Sequence, residues 1–258
     1  ARRACPASSP SCSRRCSPSA SRGAPARRSP VVRRPEAVRW HTTTRVVEVG
    51  GHALDLILLD GFEANVAHDA RRRRGRPDPR PGADISPMFG VVWPGARTLG
   101  TRLATGPDLT GTTLLELGCG LAIPAWIAAR RGARVVATDV HPDAGTLLAA
   151  NAVRLGLDVT WARWDWRDDP PPAVAAQRFD RVLASDVLYD GALAEPLARA
   201  LATTLAPDGE AWLTDPGRPW LDRFLDAAAD HGLDLTEDLS TTGDDVVHDI
   251  RLWHAGSR

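Results

Sequence analysis

The sequence predicts an α/β fold: a mostly parallel sheet with helices on both faces. Three observations predict it. Short β-type apolar runs alternate with helix-type runs from Thr112 to Trp253. A glycine turn, Gly118-Cys119-Gly120, follows the first of these strands and opens a helix. An acid, Asp139, ends the next strand. Alternating strands and helices need crossover connections, and crossovers bury both faces of a parallel sheet.

Residues 1–38 are Arg, Ser, Ala and Pro with almost no apolar periodicity. Such a segment buries too little surface to offset its ordering entropy, so a disordered tail is expected. It has no apolar secretory core. Three readings stand: an organellar transit peptide, an over-extended reading frame, or a plain tail in a GC-rich bacterium. Prolines that break any amphipathic helix favour the latter two. Arg45–Val49 and His52–Leu59 flank Gly50-Gly51, which signals a β-hairpin. Residues 69–84 are charged and rich in Pro and Gly, the composition of a flexible solvated loop.

The alternating part then begins. Strands are predicted at Thr112–Leu117, Arg134–Thr138, Val159–Trp164, Arg181–Ala184 and Glu210–Leu213. Helices are predicted at Ile123–Arg131, Asp143–Leu155, Ala192–Leu205 and Trp220–His231. Leu233–Leu239 and Val246–Trp253 close the chain as an antiparallel pair.

Composition removes several classes of function. Apolar runs such as Leu54–Leu59 fall far short of the ~18 residues of a membrane-spanning helix, so no integral membrane protein is expected. All 32 basic residues are arginine. The formal net charge of zero hides a split. Residues 1–40 hold ten arginines and one acid, Glu36, whereas residues 85–258 hold 15 arginines and 24 acids. An acidic body repels phosphate backbones and attracts basic proteins or amines, which counts against nucleic acid. Cys5, Cys12 and Cys16 lie in the tail and Cys119 stands alone, so a reducing, cytoplasmic setting is expected. The seven histidines show no metal-ligand spacing, and no metal is expected.

The run Leu114-Leu115-Glu116-Leu117-Gly118-Cys119-Gly120 carries the chemistry. Glycines at a strand-to-helix turn let the backbone approach a ligand without Cβ interference. Asp139, about 20 residues on, is placed to accept from ribose hydroxyls. Ala122 stands where a dinucleotide fingerprint has its third glycine, and no Walker lysine exists. NAD and ATP are disfavoured; a nucleoside without phosphates, S-adenosylmethionine, fits better.

With Glu116-Leu117-Gly118-Cys119-Gly120 as its first motif, the chain resembles the class I, seven-strand S-adenosylmethionine-dependent methyltransferases. Three further stretches resemble the protein lysine methyltransferase group, including the enzymes of electron-transfer flavoprotein beta-subunit and their bacterial relatives. They are Val92-Trp93-Pro94-Gly95-Ala96, Asp186-Val187-Leu188-Tyr189 and Thr214-Asp215-Pro216-Gly217-Arg218-Pro219. The likeness spans roughly residues 86–255. Met88-Phe89 departs from the expected Pro-Phe/Tyr-Trp, and residues 39–84, the hairpin and Arg-rich loop, have no aligned counterpart.

The resemblance implies a Rossmann-like methyltransferase domain over 85–258. Its cofactor contacts would be Trp93, Glu116, Gly118, Cys119, Gly120, Asp139, Val140, Asp165, Trp166 and Ser185. Asp139 would hold the ribose, and Asp165 the adenine amine, with Trp166 packing nearby. Asp186 and Tyr189 would be catalytic: Asp186 aligns an incoming amine and Tyr189 walls the slot. Asp215 and Arg218 would bind substrate, or merely pair and stiffen their loop. His141-Pro142 reads as a turn, and Trp161 and Trp164 as packing residues. The implied partner is a lysine-bearing protein, such as electron-transfer flavoprotein or a ribosomal protein, met by a monomeric enzyme. The rival readings are a small-molecule N- or O-methyltransferase and a non-catalytic cofactor-binding module.

Overall fold

The computed structural model describes residues 40–73, 87–238 and 251–256. The expected tail at 1–38, most of the Arg-rich stretch and the start of the last predicted strand lie outside the described residues.

Chain order begins with β1 (Thr42–Val49) and β2 (His52–Leu59), an antiparallel hairpin turned at Gly50 and Gly51. Both glycines have positive φ, 54° and 81°, which suits a two-residue hairpin turn. Helix α1 (Phe62–Arg73) follows, and it occupies residues 69–73, where a loop was expected. It is invisible to apolar periodicity because its buried positions are polar. Asn65 and Asp69, one turn apart, are nearly inaccessible, and the Asn65 side chain bonds both the N–H and the C=O of His41. Helix α2 (Pro94–Thr105) also lacks a predicted counterpart. Pro94 starts it, and Ala96, Leu99 and Leu103 form its buried stripe.

Next come β3 (Thr113–Leu117), α3 (Ile123–Arg130), β4 (Arg134–Asp139), α4 (Ala144–Leu155) and β5 (Thr160–Arg163). They are followed by the short α5 (Pro172–Ala175), β6 (Phe179–Ser185), α6 (Ala194–Thr204), β7 (Leu205–Asp215), α7 (Leu221–Asp230), β8 (Thr236–Asp238) and β9 (Arg251–Gly256). The predicted elements of this region are present within a few residues, save that β7 starts at Leu205 rather than Glu210. Pro207-Asp208-Gly209 reads as a turn in sequence. In the fold the strand bulges across it: Leu205 pairs Phe179 and Glu210 pairs Arg181, so the turn residues bulge out between these two pairs.

The seven strands run in the order β5-β4-β3-β6-β7-β9-β8. The first five pair in parallel, and β9 is antiparallel to both β7 and β8. From β3 the chain winds outward to β5, then returns to β6 on the other side. That reversal opens a crevice at the carboxyl ends of β3, β4 and β6, where doubly wound sheets bind ligands.

One apolar core fills the face under α2, α3, α4 and the hairpin; a second fills the face under α6 and α7. The hairpin is fastened to the first face by Asn151 of α4. This fully buried amide accepts from Ile57 N–H at 2.7 Å and donates to Ile57 C=O at 3.0 Å. Among the described residues, no helix is long and apolar enough to cross a membrane, and no cluster of His, Cys, Asp or Glu forms a metal site.

Candidate active site

The glycine turn forms the floor of the crevice. Gly118, Gly120 and the non-glycine Ala122 all adopt positive φ, at 64°, 51° and 57°, so the chain coils tightly from β3 into α3. A Cβ on Gly118 would stand 2.7 Å from Val187 Cγ1 and 3.3 Å from the Trp166 ring. A Cβ on Gly120 would stand 3.2 Å from Phe89 C=O. The turn is therefore closed to side chains, and backbone faces the cavity. Cys119 N–H donates to Thr138 C=O at 2.8 Å, which ties the turn to β4.

Asp139 ends β4 beside this turn. Its Oδ2 accepts from Gly120 N–H at 2.9 Å and its Oδ1 from His141 N–H at 2.8 Å. Burial raises its carboxyl above the ordinary range, and the backbone N–H groups of His141, Gly120 and Val140 pull it back. His141 sits in the turn after β4, as expected. Its Nδ1 accepts from Asp143 N–H, and its ring stacks on Phe89 at 4.2 Å.

Asp165 is gripped by Arg167. Arg167 Nε donates to Oδ1 at 2.8 Å and Nη2 to Oδ2 at 2.6 Å, a bidentate pair that orients the carboxylate at the cavity wall. The adjacent Trp166 is buried against Gly118.

At the end of β6, Asp186 adopts φ 59°, a left-handed conformation uncommon outside glycine, Asn and Asp. Its side chain is 3% exposed and its Oδ1 accepts from Arg218 Nη2 at 3.0 Å. Arg218 is itself held by the fully buried Asp215. Asp215 Oδ2 accepts from Arg218 Nη1 at 2.9 Å, and Oδ1 from Arg218 N–H at 2.7 Å. Burial pushes the Asp186 carboxyl up, while the Arg218 guanidinium works against that rise. Tyr189 stands at the mouth, about half exposed. Its hydroxyl is pushed up to about 12 by desolvation and then by nearby carboxylates, Asp139 first. Even at its ordinary value it keeps its proton at neutral pH.

These elements enclose a pocket of about 250 Å³. Of the residues singled out from sequence, Trp93, Gly118, Cys119, Gly120, Asp139 and Val140 line it. Asp165, Trp166, Ser185, Asp186, Tyr189 and Arg218 complete that set. Two expectations are corrected. Glu116 does not reach the wall: it is fully buried beneath the turn, where Oε2 accepts from Ala125 N–H at 2.9 Å in the first turn of α3. Asp215 does not reach it either and acts through Arg218. Met88, Phe89, Trp164, Arg167, Val187 and Leu193 also line the pocket without having been proposed as site residues. Arg167 had a signal, two residues after Asp165. Phe89 had none, since only the fold brings it over Gly120.

The family model described as "Methyltransferase domain" matches residues 114–209. That span holds the glycine turn, Asp139, Asp165 and the Asp186-Tyr189 pair, all on one pocket. Over that span the chain is similar to methyltransferases. It is 31% identical over 175 residues to the Protein N-terminal and lysine N-methyltransferase EFM7 of Eremothecium gossypii, covering 57% of this chain and 64% of that one. It is 33% identical over 107 residues to a Ubiquinone biosynthesis O-methyltransferase of a Methylobacterium, covering 40% and 41%. The chain thus spans less than two thirds of the length of either relative. Among solved structures, the fold is similar to the Thermus thermophilus 16S rRNA N2 G1207 methyltransferase in complex with AdoMet and guanosine. The TM-score is 0.59 at 17% identity, over 84% of this chain and 51% of that one.

The residues present fit S-adenosylmethionine. Backbone replaces side chains at Gly118 and Gly120, Asp139 faces the same cavity, and Trp164 and Trp166 give it a flat apolar wall. No phosphate-binding arginine or lysine belongs to the glycine turn.

Proposed function

We propose that this protein is an S-adenosylmethionine-dependent methyltransferase that acts on amines of proteins, above all the side-chain amine of lysine. The observation that carries the reading is the Asp186-Arg218-Asp215 cluster at the end of β6. Two carboxylates share one guanidinium there, beside Tyr189 at the pocket mouth. The surplus of negative charge favours a cationic substrate. The likeness to EFM7, whose name includes lysine N-methylation, supports the same class.

Bound S-adenosylmethionine supplies an electrophilic methyl on a positively charged sulfur. The chain's own residues do the rest by binding and orienting. Gly118 and Gly120 would admit the cofactor close to the backbone, Asp139 would accept from its ribose hydroxyls, and Trp166 would pack against its base. An ammonium with an ordinary pKa near ~10.4 must shed a proton before it attacks. The charge of Asp186 draws the amine in, and burial near a second cation favours its neutral form. Tyr189 stays protonated, so it is no general base; its ring walls the slot and its hydroxyl oxygen accepts from the amine. The proton leaves to water at the open mouth. Positioning then supplies much of the rate.

The O-methyltransferase relative favours a second reading, methylation of a small hydroxylated molecule. Tritiated cofactor incubated with a protein extract and with a metabolite extract separates the two. Label in acid-insoluble protein, mapped to lysine by mass spectrometry, supports the first. Label confined to metabolites overturns it. Electron-transfer flavoprotein and ribosomal proteins are the first purified targets to test.

A further inference from the structure

Gly95 is the second residue of α2 and is buried. Its φ is not positive, so the backbone makes no demand for glycine, and helix propensity there favours alanine. What forbids a side chain is Asp186 first and Thr214 second. A Cβ on Gly95 would overlap Asp186 Oδ2 and stand 2.9 Å from Asp186 Cγ. It would also stand 2.9 Å from Thr214 Oγ1, whose hydroxyl donates to Gly95 C=O at 3.0 Å. The Asp186 carboxylate occupies the volume that a methyl group would take. It has little freedom to yield: Oδ1 is bound by Arg218, Arg218 is bound twice by Asp215, and the side chain is 3% exposed. The backbone of Asp186 is pinned as well, by its N–H to Thr214 C=O at 3.0 Å.

We infer that Gly95 is a positioning residue for the reaction: its missing side chain is the seat that holds the Asp186 carboxylate against the start of α2, between that helix and Arg218. The seat joins three segments that are distant in sequence. The first turn of α2 leaves backbone N–H groups without helical partners, so its positive end faces the quarter where the carboxylate rests. Alanine at 95 pushes the carboxylate away from this end and breaks its alignment with Arg218. This inference rests on the amine-methylation reading only where it concerns turnover; the seat itself is a matter of packing.

The test is a double-mutant cycle with two readouts. Gly95→Ala is expected to lower Tm by several degrees and to cut kcat for tritium transfer to protein extract on the order of tenfold to a hundredfold. Cofactor Kd by calorimetry should stay within about twofold, because Gly95 is not on the pocket wall. In an Asp186→Gly background, which keeps the left-handed backbone and removes the carboxylate, the same Gly95→Ala change should lose the part of its Tm cost that Asp186 causes and keep the part owed to Thr214 Oγ1. A Tm cost undiminished in that background overturns the seat, as does a Gly95→Ala protein with the Tm and kcat of the unaltered chain. If the unaltered chain labels no protein, the lysine reading falls, and the thermal cycle, which needs no substrate, still decides the seat.

Discussion

Arg218 Nη2 donates to Asp186 Oδ1 across 3.0 Å, and this one bond couples the loop after β7 to the end of β6. Because Asp215 grips the same guanidinium, a single cation sits between two carboxylates that are both nearly inaccessible. Removing it leaves two like charges buried side by side. Arg218→Met is expected to cost about 3–5 kcal/mol of stability at neutral pH, the scale for stranding buried partners. The loss should shrink on acidification, as the Asp186 carboxyl, already pushed up by burial, takes up a proton. Arg218→Lys should restore little, since one ammonium does not fork onto two carboxylates. Calorimetric melting of the three proteins across pH checks this; equal Tm values for Arg218→Met and the parent would refute it.

Asp186→Asn separates binding from chemistry. The amide keeps the shape of the side chain and loses its charge, so cofactor affinity should hold. Turnover on protein should fall on the order of 30- to 1,000-fold, as for a lost charge-assisted contact of about 2–4 kcal/mol in a desolvated site. Tyr189→Phe, which keeps the ring wall and loses only a neutral acceptor, should cost less than Asp186→Asn. Turnover by Asp186→Asn within about twofold of the parent removes Asp186 from the chemistry.

Asp139→Ala should weaken cofactor binding by about 1–2 kcal/mol. It removes an acceptor at the cavity and frees Gly120 N–H, which Asp139 holds at 2.9 Å. Isothermal calorimetry reads the change directly, and unchanged affinity excludes the ribose role.

Glu116 gives the pH dependence. Burial raises its pKa from 4.5 to about 8, against the opposing bond from Ala125 N–H. Its Oε1 has no hydrogen-bond partner among the described residues. A folded-state pKa above the unfolded one means that the native protein holds a proton the unfolded chain has released. The stability that this acid contributes is therefore full below about pH 4.5 and is lost as pH rises toward about 8. Glu116→Gln removes that titration. Its Tm should fall less steeply between pH 5 and pH 8 than that of the parent, with the gap growing to the order of 4 kcal/mol. Parallel slopes in a series of melts would show that Glu116 is ionised in the fold.

The sequence by itself determined the parallel sheet, because β-type and helical periods alternate and nothing but crossovers joins them. It also determined the glycine turn and the acids at strand ends, because these depend on residue type at short spacing. The tertiary structure alone decided α1, whose inward residues are polar and so leave no apolar rhythm to read. It alone placed Phe89 over Gly120 and Asp186 on Gly95, contacts between residues far apart in the chain. Glu116 and Asp215 show the same boundary. Motif position put both near the cofactor or substrate, yet burial depth, which depends on what packs above a residue, set one beneath α3 and the other behind Arg218.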